Sequence, residues 1–159
     1  MGLFSRKDKT AKIVAQQNGK AVSITEVPDP VFSGKVLGDG VGIIPSNGEV
    51  VAPVSGTVAQ VAHTKHAIGI ESDDGLEVLV HLGVDTVKLD GQGFTCYVEV
   101  GQHVNAGDKL MDIDLDFIQS QGLSTVSPCI ITNLDAAKNL KIFSGDVVAG
   151  ETVVMTYEK

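Results

Sequence analysis

The 159-residue chain contains no tryptophan, and aromatic residues make up only 4% of it. Hydrophobic residues still account for 43% of the chain, so its core must be built from valine, isoleucine, leucine and alanine. No apolar run approaches the length that crosses a membrane. The two cysteines, Cys96 and Cys129, form no CxxC pair and accompany no secretory signal, which predicts reduced thiols in a cytoplasmic protein.

Basic residues are also scarce, with 12 lysines and arginines against 20 aspartates and glutamates. The formal net charge of −8 argues against nucleic acid as a partner, because binding to phosphates requires a basic face. An acidic surface favours instead a protein partner that carries a basic patch.

The N-terminal residues 1–12 are polar and basic behind an apolar Leu3 and Phe4. We interpret them as a flexible segment, since chain ends that no packing holds are usually disordered. The alternative is a weak membrane-surface contact, in which Leu3 and Phe4 insert and the lysines face anionic lipid. Acylation of Gly2 does not fit, because the myristoylation pattern has serine or threonine where Arg6 stands.

Residues 13–159 form a single all-β domain of short strands between glycine-rich turns, according to their patterning. Two pairs of segments resemble each other, residues 19–22 with 56–59 and residues 101–111 with 145–154. These similarities predict a β-sandwich or barrel-like hybrid of two related halves. Two short helices are expected, at residues 115–121 and 135–140, with Asn133 or Asp135 as the cap of the second.

Residues 77–87 carry the strongest chemical signal. Strand-forming residues lead to His81 and then to Gly83, so a rigid strand presents an imidazole beside a position that other groups can approach closely. His66 opens the preceding strand. If the two strands form a hairpin about Asp73 and Asp74, His66 lies directly opposite His81, with Cβ atoms about 5 Å apart.

Two imidazoles placed in this way can bind a metal such as Zn²⁺, or act as acid and base near neutral pH. Alternatively, one can accept a phosphoryl group while the other donates a hydrogen bond to its oxygens. That chemistry needs one ring nitrogen of His81 held as a donor, a role for a backbone carbonyl near Gly83, and Thr64 can fix the tautomer of His66 in a similar way. The remaining alternative is a binding module whose histidines only pack and form hydrogen bonds.

Several segments, in order, resemble the glucose-type IIA component of the bacterial phosphoenolpyruvate-dependent sugar phosphotransferase system. The resemblance covers the chain from about residue 20 to its end. The segments that carry it are residues 31–40, 51–57, 64–66, 79–86, 93–94, 101–104 and 150–152. The resemblance implies an antiparallel β-sandwich, a relay through phosphohistidine and no required cofactor, with zinc at the two histidines as a further candidate.

The same resemblance implies the roles of the site residues. His81 matches the histidine that is phosphorylated on Nε2, His66 matches the histidine that steadies the phosphoryl group, and Thr64 matches the residue that orients His66. The backbone of Gly83 is expected to orient His81. The phosphoryl group would arrive from the carrier protein HPr and leave to a cysteine of the IIB domain of a sugar permease (IICB). Family members can also regulate permeases or kinases.

An apolar docking face with an acidic rim is implied as well. The residues that match it are Val31, Phe32, Leu79 and Val87 on the face, and Asp29 and Asp85 on the rim, where they can meet arginines of the partners. The chain departs from the family at Leu79 and Leu82, where phenylalanines are frequent. Its segment before Gly19 is also shorter than in relatives with a membrane-tethering helix.

Two other kinds of protein share turn sequences with this chain. Lysostaphin-like zinc endopeptidases share residues 52–57 and 101–107, but the sequence has no His-x-His pair, no third zinc ligand and no export signal. Biotinyl- and lipoyl-type carriers display a lysine, for which Lys65 is the candidate, but the flanking methionines or acids of such carriers are missing. The sequence therefore predicts a cytoplasmic phosphocarrier.

Overall fold

The computed structural model describes residues 10–159, and most of the regular structure in this range is β-strand. The strands are β1 (Thr10–Val14), β2 (Gly19–Ser23), β3 (Asp39–Pro45), β4 (Glu49–Val51), β5 (Gly56–Val61), β6 (Ala67–Ser72), β7 (Glu77–His81), β8 (Phe94–Cys96), β9 (His103–Val104), β10 (Lys109–Ile113), β11 (Ser127–Ile131), β12 (Lys138–Ile142), β13 (Gly145–Val147) and β14 (Val153–Glu158). The helices are α1 (Pro30–Ser33) and α2 (Leu115–Ser120), and single 3₁₀ turns span Ile24–Glu26, Thr86–Leu89 and Leu134–Ala136.

The strands pair antiparallel in three sheets. The largest has the order β13-β2-β3-β11-β7-β6-β5-β9, and the smaller two have the orders β1-β14-β12 and β4-β10-β8. Within residues 10–159 no sheet closes on itself into a barrel. The predicted antiparallel β-sandwich is therefore confirmed, without barrel closure. No helix in this part of the chain is long and apolar enough to cross a membrane.

The two related halves are visible in matching hydrogen bonds. In one half β2 pairs with β13, with Gly19 opposite Val147, and in the other β5 pairs with β9, with Gly56 opposite Val104. Other backbone hydrogen bonds of 2.8–3.0 Å also occur in matching pairs. Ala15 N donates to Thr152 O as Ala52 N donates to Asp108 O, and Gly150 N donates to Ala15 O as Gly107 N donates to Ala52 O. Val14 N donates to Pro53 O as Val51 N donates to Gln16 O. The halves meet where β7 pairs with β11 at the centre of the large sheet.

The core is aliphatic, as the composition predicts. The largest side chains that are almost completely buried are Ile13, Ile24, Ile43, Ile68, Ile70, Leu76, Leu82, Leu110, Met111, Ile118, Ile130 and Ile131. A smaller buried cluster contains Ile24, Val27, Phe32, Val84 and Ile130, with Leu79 packed against it. This second cluster adjoins the segment that carries His81, since its Phe32 ring contacts the His81 ring.

The structure corrects the predicted domain boundary. Residues 10–12 lie in β1, where Thr10 pairs with Glu158 and Lys12 with Thr156 of β14. The predicted flexible segment 1–12 therefore includes the start of a strand, because β14 supplies a partner that the local sequence does not reveal. The rest of that segment, including the candidate membrane contact at Leu3 and Phe4, lies outside the described residues.

The two predicted helices have different outcomes. Residues 115–120 form α2, whose first turn is capped by Asp114 accepting from Phe117 N, so this prediction is confirmed. The helix predicted at residues 135–140 is wrong, because a single 3₁₀ turn there leads directly into β12. One of its two candidate caps, Asn133, instead accepts from Glu77 N at 2.8 Å and donates to Gly75 O at 3.0 Å. These two long-range hydrogen bonds engage the Asn133 side chain, which therefore makes no capping bond.

A short helix at Pro30–Ser33 was not predicted. Its start nevertheless has recognisable signals: Asp29 accepts from Val31 N at 2.9 Å, and Pro30 occupies the first turn, where a missing N–H does no harm. This turn places Phe32 in the smaller cluster and leaves Val31 41% exposed beside it.

Candidate active site

Strand β7 carries His81 at its last position. Alternation along the strand buries Val78 and Val80 and turns Glu77, Leu79 and His81 towards the other face. The imidazole therefore lies half-buried on the outer face of the large sheet, next to Leu79.

His66 and His81 come together, but in a register different from the predicted one. The residue opposite His81 is Ala67, and His66 lies just before β6, where its carbonyl accepts Leu82 N at 2.7 Å. The two ring centroids are nevertheless 5.1 Å apart, with the ring planes at 76°. The histidine pair was thus predicted correctly as neighbours and incorrectly as a directly opposed pair.

The difference arises in the hairpin loop between β6 and β7. The prediction assumed a two-residue turn, whereas Ser72 N donates to Leu76 O at 2.8 Å and encloses a loop of residues 73–75. Gly75 adopts φ +94°, the left-handed conformation that completes such three-residue loops. One additional loop residue shifts every cross-strand partner by one.

Each imidazole is fixed through its Nδ1 atom. His81 Nδ1 lies 2.8 Å from Gly83 O, and His66 Nδ1 lies 2.6 Å from Thr64 Oγ1. A carbonyl oxygen only accepts, so His81 Nδ1 carries the hydrogen and Nε2 keeps a free lone pair. The Thr64 hydroxyl can donate to His66 Nδ1, in which case the hydrogen of that ring is on Nε2.

The backbone at Gly83 is tightly enclosed. Its φ is +77°, and a Cβ at this position would lie 2.6 Å from Thr86 Cγ2 and 2.8 Å from Ser124 O. The peptide that follows is held at both ends, since its carbonyl accepts from His81 and its N–H, that of Val84, donates to Ser124 O at 3.0 Å. Only glycine fits this position without displacing its neighbours.

Burial shifts the titration of both histidines in the same direction. It lowers the pKa of His81, although the hydrogen bond to Gly83 and the charges of Asp29 and Asp85 act in the opposite sense. It also lowers the pKa of His66, and the neighbouring His81 ring adds to this effect. Both rings are therefore neutral near pH 7, the form in which a ring nitrogen has a lone pair to offer.

An apolar surface surrounds the pair. The rings of Phe32 and His81 have centroids 5.0 Å apart, and Val87 is 53% exposed on the 3₁₀ turn that follows the histidine. Asp29 and Asp85 are close enough to influence the pKa of His81, which places both near its ring. All predicted site residues therefore lie on the segments that flank the histidine pair.

The sequence did not indicate the residues that lie behind Gly83. Thr86 Oγ1 donates to Leu82 O at 2.6 Å, and Ser127 Oγ accepts from Gly83 N at 3.1 Å. Thr86 lies within a recognised segment, but its role is visible only as a contact. Ser127 belongs to β11, and no local pattern could have connected it with the histidines.

The two imidazoles are ligands that zinc accepts, but they fill only two of the four positions of a structural zinc site. Within residues 10–159 no group of three or more histidine, cysteine or acidic side chains is arranged to hold a metal ion. The described part of the chain therefore fits zinc incompletely.

A β-sandwich that presents two neutral imidazoles on an apolar face is the arrangement that the resemblance to sugar phosphotransferase components implies. The family described as "phosphoenolpyruvate-dependent sugar phosphotransferase system, EIIA 1" matches residues 11–137. The chain belongs to this family, which is a family of phosphotransferase components in sugar transport.

Individual relatives agree with this assignment. The "PTS system glucose-specific EIIA component" of Bacillus anthracis is 49% identical over 156 residues, covering 96% of this chain and 94% of that protein. The "PTS system glucose-specific EIICBA component" of Staphylococcus saprophyticus is 55% identical over 123 residues, which are 77% of this chain and 18% of that protein. The solved structure of glucose permease IIA from Mycoplasma capricolum matches with a TM-score of 0.89 and 42% identity, over 94% of this chain and 97% of that one. The zinc-endopeptidase and biotinyl- or lipoyl-carrier hypotheses gain no support.

Proposed function

We propose that this chain is a phosphocarrier that accepts a phosphoryl group from phospho-HPr on Nε2 of His81 and passes it to a cysteine of the IIB domain of a sugar permease. The observation that supports this most directly is the 2.8 Å hydrogen bond between His81 Nδ1 and Gly83 O. It keeps the hydrogen on Nδ1 and leaves Nε2 as a nucleophile at neutral pH.

The relay has two steps, and in both the hydrogen on Nδ1 stays in place. First, the Nε2 lone pair of His81 attacks phosphorus; the new N–P bond forms as the N–P bond of the donor's phosphohistidine breaks, and that electron pair returns to the donor's ring nitrogen. Second, the thiolate of the IIB cysteine attacks the same phosphorus. The S–P bond forms, the N–P bond of His81 breaks, and its electron pair returns to Nε2.

His66 is suited to steady the phosphoryl group during both steps. When Thr64 donates to His66 Nδ1, the Nε2–H of that ring is available as a donor, and its centroid is 5.1 Å from that of His81. Catalysis of phosphoryl transfer consists largely of positioning and of stabilising charge on the phosphoryl oxygens. A neutral donor so close to the nucleophile provides the second of these.

The partners dock, in this proposal, on the apolar face around the histidines. Phe32 is almost buried, whereas Val31 and Val87 are exposed to 41% and 53% and offer surface to a partner. Asp29 and Asp85 give the rim a negative charge, in keeping with the net charge of −8, and favour partners with a basic patch. The name of the Staphylococcus saprophyticus relative, EIICBA, joins A, B and C components in one chain, which supports IIB and IIC as partners.

We also place the protein in the cytoplasm, where phosphoenolpyruvate is available, and propose that it requires no cofactor. The names of its relatives point to glucose as the sugar. Specificity for the sugar would reside in the permease and not in this chain.

The test is acid-labile phosphorylation. The protein is incubated with phosphoenolpyruvate, enzyme I and HPr, and the phosphate is located by mass spectrometry at neutral or alkaline pH. Phosphate on His81, absent from the His81→Ala variant while that variant remains folded, is the expected result. An unmodified His81 under conditions that phosphorylate HPr would refute the proposal.

A further inference from the structure

Behind Gly83, a chain of buried polar groups leads away from the active site. Ser127 has no exposed surface; its Oγ accepts from Gly83 N at 3.1 Å and donates to Thr125 O at 2.9 Å. Nε2 of Gln17, which is equally buried, donates to the same Oγ at 3.3 Å. Every hydrogen-bonding position of this hydroxyl is therefore occupied, which fixes its orientation.

The peptide that precedes Gly83 is held at both ends by side chains. Its N–H donates to Ser127, and its carbonyl, that of Leu82, accepts from Thr86 Oγ1 at 2.6 Å. The following peptide is held by His81 and by the carbonyl of Ser124, as described above. Two successive peptides are thus pinned, and the second provides the acceptor that sets the tautomer of His81.

The fold itself does not require polar side chains at residues 16 and 17. In the internal repeat, Gln16 and Gln17 correspond to Pro53 and Val54, which are buried and apolar in the other half. Burying an amide stabilises a protein only when its hydrogen bonds are satisfied, and Gln16 Oε1 has no partner among the described residues. The glutamine pair is therefore a poor choice for stability alone.

The position of the pair suggests a different purpose. Gln16 Nε2 donates to Ser127 O at 3.2 Å and Gln17 reaches the Ser127 side chain, so the two amides grip the backbone and the hydroxyl of one residue. In the half that lacks these amides, the corresponding segment borders no histidine pair. The buried glutamines therefore occur in the half of the protein where they connect, through Ser127, to the backbone beside His81.

We propose that Ser127, supported by Gln17, is a positioning residue for His81: it holds the backbone of Gly83 so that the Gly83 carbonyl keeps the hydrogen of His81 on Nδ1 and its lone pair on Nε2. The effect on phosphate acceptance rests on the function proposed above. The effect on the His81 ring does not rest on that function, because the tautomer with hydrogen on Nδ1 exists in the unphosphorylated protein.

The experiment compares Ser127→Ala, Gln17→Leu and Ser72→Ala with the wild type. Ser72→Ala is the matched control, since Ser72 Oγ is also a nearly buried hydroxyl that accepts a backbone N–H, that of Leu76 at 2.9 Å, at the far end of the same hairpin. The readouts are the assigned ¹⁵N resonances of the His81 ring in the unphosphorylated protein, the rate of phosphate acceptance from phospho-HPr, and urea unfolding.

In wild type and Ser72→Ala, we expect one protonated Nδ1 and one unprotonated Nε2. In Ser127→Ala the two resonances should move towards each other, and the rate should fall about tenfold, the factor that ~1.4 kcal/mol produces. Gln17→Leu should cause the same change to a smaller extent, about two- to threefold in rate, without loss of stability, since one hydrogen bond contributes little net free energy and the apolar replacement suits the site.

Wild-type ¹⁵N resonances in Ser127→Ala, with a loss of stability equal to that of Ser72→Ala, would reduce the hydroxyl to a structural role and overturn the proposal. If Ser127→Ala does not fold, Gln17→Leu decides: displaced His81 resonances at wild-type stability support the proposal, and unchanged ones refute it. If the wild type accepts no phosphate but the His81 resonances of Ser127→Ala and Gln17→Leu move as described, the proposed function fails and the positioning role remains.

Discussion

Replacing Gly83 with alanine tests how tightly the peptide that orients His81 is enclosed. An L residue at φ +77° costs roughly 1–2 kcal/mol. The new Cβ would lie 2.6 Å from Thr86 Cγ2 and 2.8 Å from Ser124 O, and the second contact is with backbone, which cannot rotate away. Overlaps of this kind typically cost about 1–3 kcal/mol. We therefore expect Gly83→Ala to lower the free energy of unfolding by about 2–5 kcal/mol.

Gly75→Ala is the matched control. Gly75 has φ +94°, and nothing lies within 4 Å of a Cβ added there, so only the backbone penalty of roughly 1–2 kcal/mol remains. The difference between the two variants isolates the cost of the overlap. Urea unfolding followed by circular dichroism is suitable, since the chain has no tryptophan to report by fluorescence.

Relief of the overlap must displace the Gly83 carbonyl, which then no longer holds the hydrogen of His81 on Nδ1. A misplacement of about 1 Å in a reacting group costs on the order of 10²-fold in rate, and we expect a loss of this size in phosphate acceptance by Gly83→Ala. Gly75→Ala should keep the wild-type rate. Equal stabilities of the two variants, or a wild-type rate in Gly83→Ala, would refute the reasoning from enclosure.

Three further predictions concern the imidazoles. Thr64→Val keeps the shape of the side chain but removes the hydroxyl that is hydrogen-bonded to His66 Nδ1. Phosphate acceptance should then fall about tenfold with little change in urea midpoint; an unchanged rate would exclude an orienting role. Because burial lowers the pKa of His66 and His81 from 6.5 in the folded chain, the unfolded chain binds more protons just below pH 6.5. The free energy of unfolding should therefore be fully retained above pH 6.5 and fall as the pH drops towards the lowered pKa values. Urea titrations at several pH values check this. The slope of the free energy of unfolding against pH should be smaller in the double variant His66→Gln/His81→Gln. In titration calorimetry Zn²⁺ should bind weakly, since the two histidines supply only two ligands. Binding that survives His66→Ala would place the metal elsewhere. Removal of the metal by a chelator should leave phosphate acceptance unchanged.

Much of the site could be predicted because its key contacts are local. Thr64 and His66, like His81 and Gly83, are two residues apart, so each pair is close enough in the chain for the sequence to suggest its hydrogen bond. Alternation in β7 likewise determines which face carries His81, since successive side chains of a strand point to opposite sides.

Predictions failed where a distant partner or a loop decided the outcome. The helix expected at residues 135–140 is absent: Asn133, one of its two candidate caps, bonds to Glu77 and Gly75, and the chain continues into β12. The register between His66 and His81 shifted by one because the loop at residues 73–75 has three members instead of the two that the prediction assumed.

By itself, the sequence determined the strand-rich architecture, its two related halves and the histidine pair, because these depend on periodicity and on residues close together in the chain. Only the tertiary structure decided how His81 is held. Ser127 lies 44 residues from Gly83, and Gln17 lies 110 residues from Ser127. Contacts over such separations come from the packing of whole strands, which depends on the complete core and leaves no signature in any single segment.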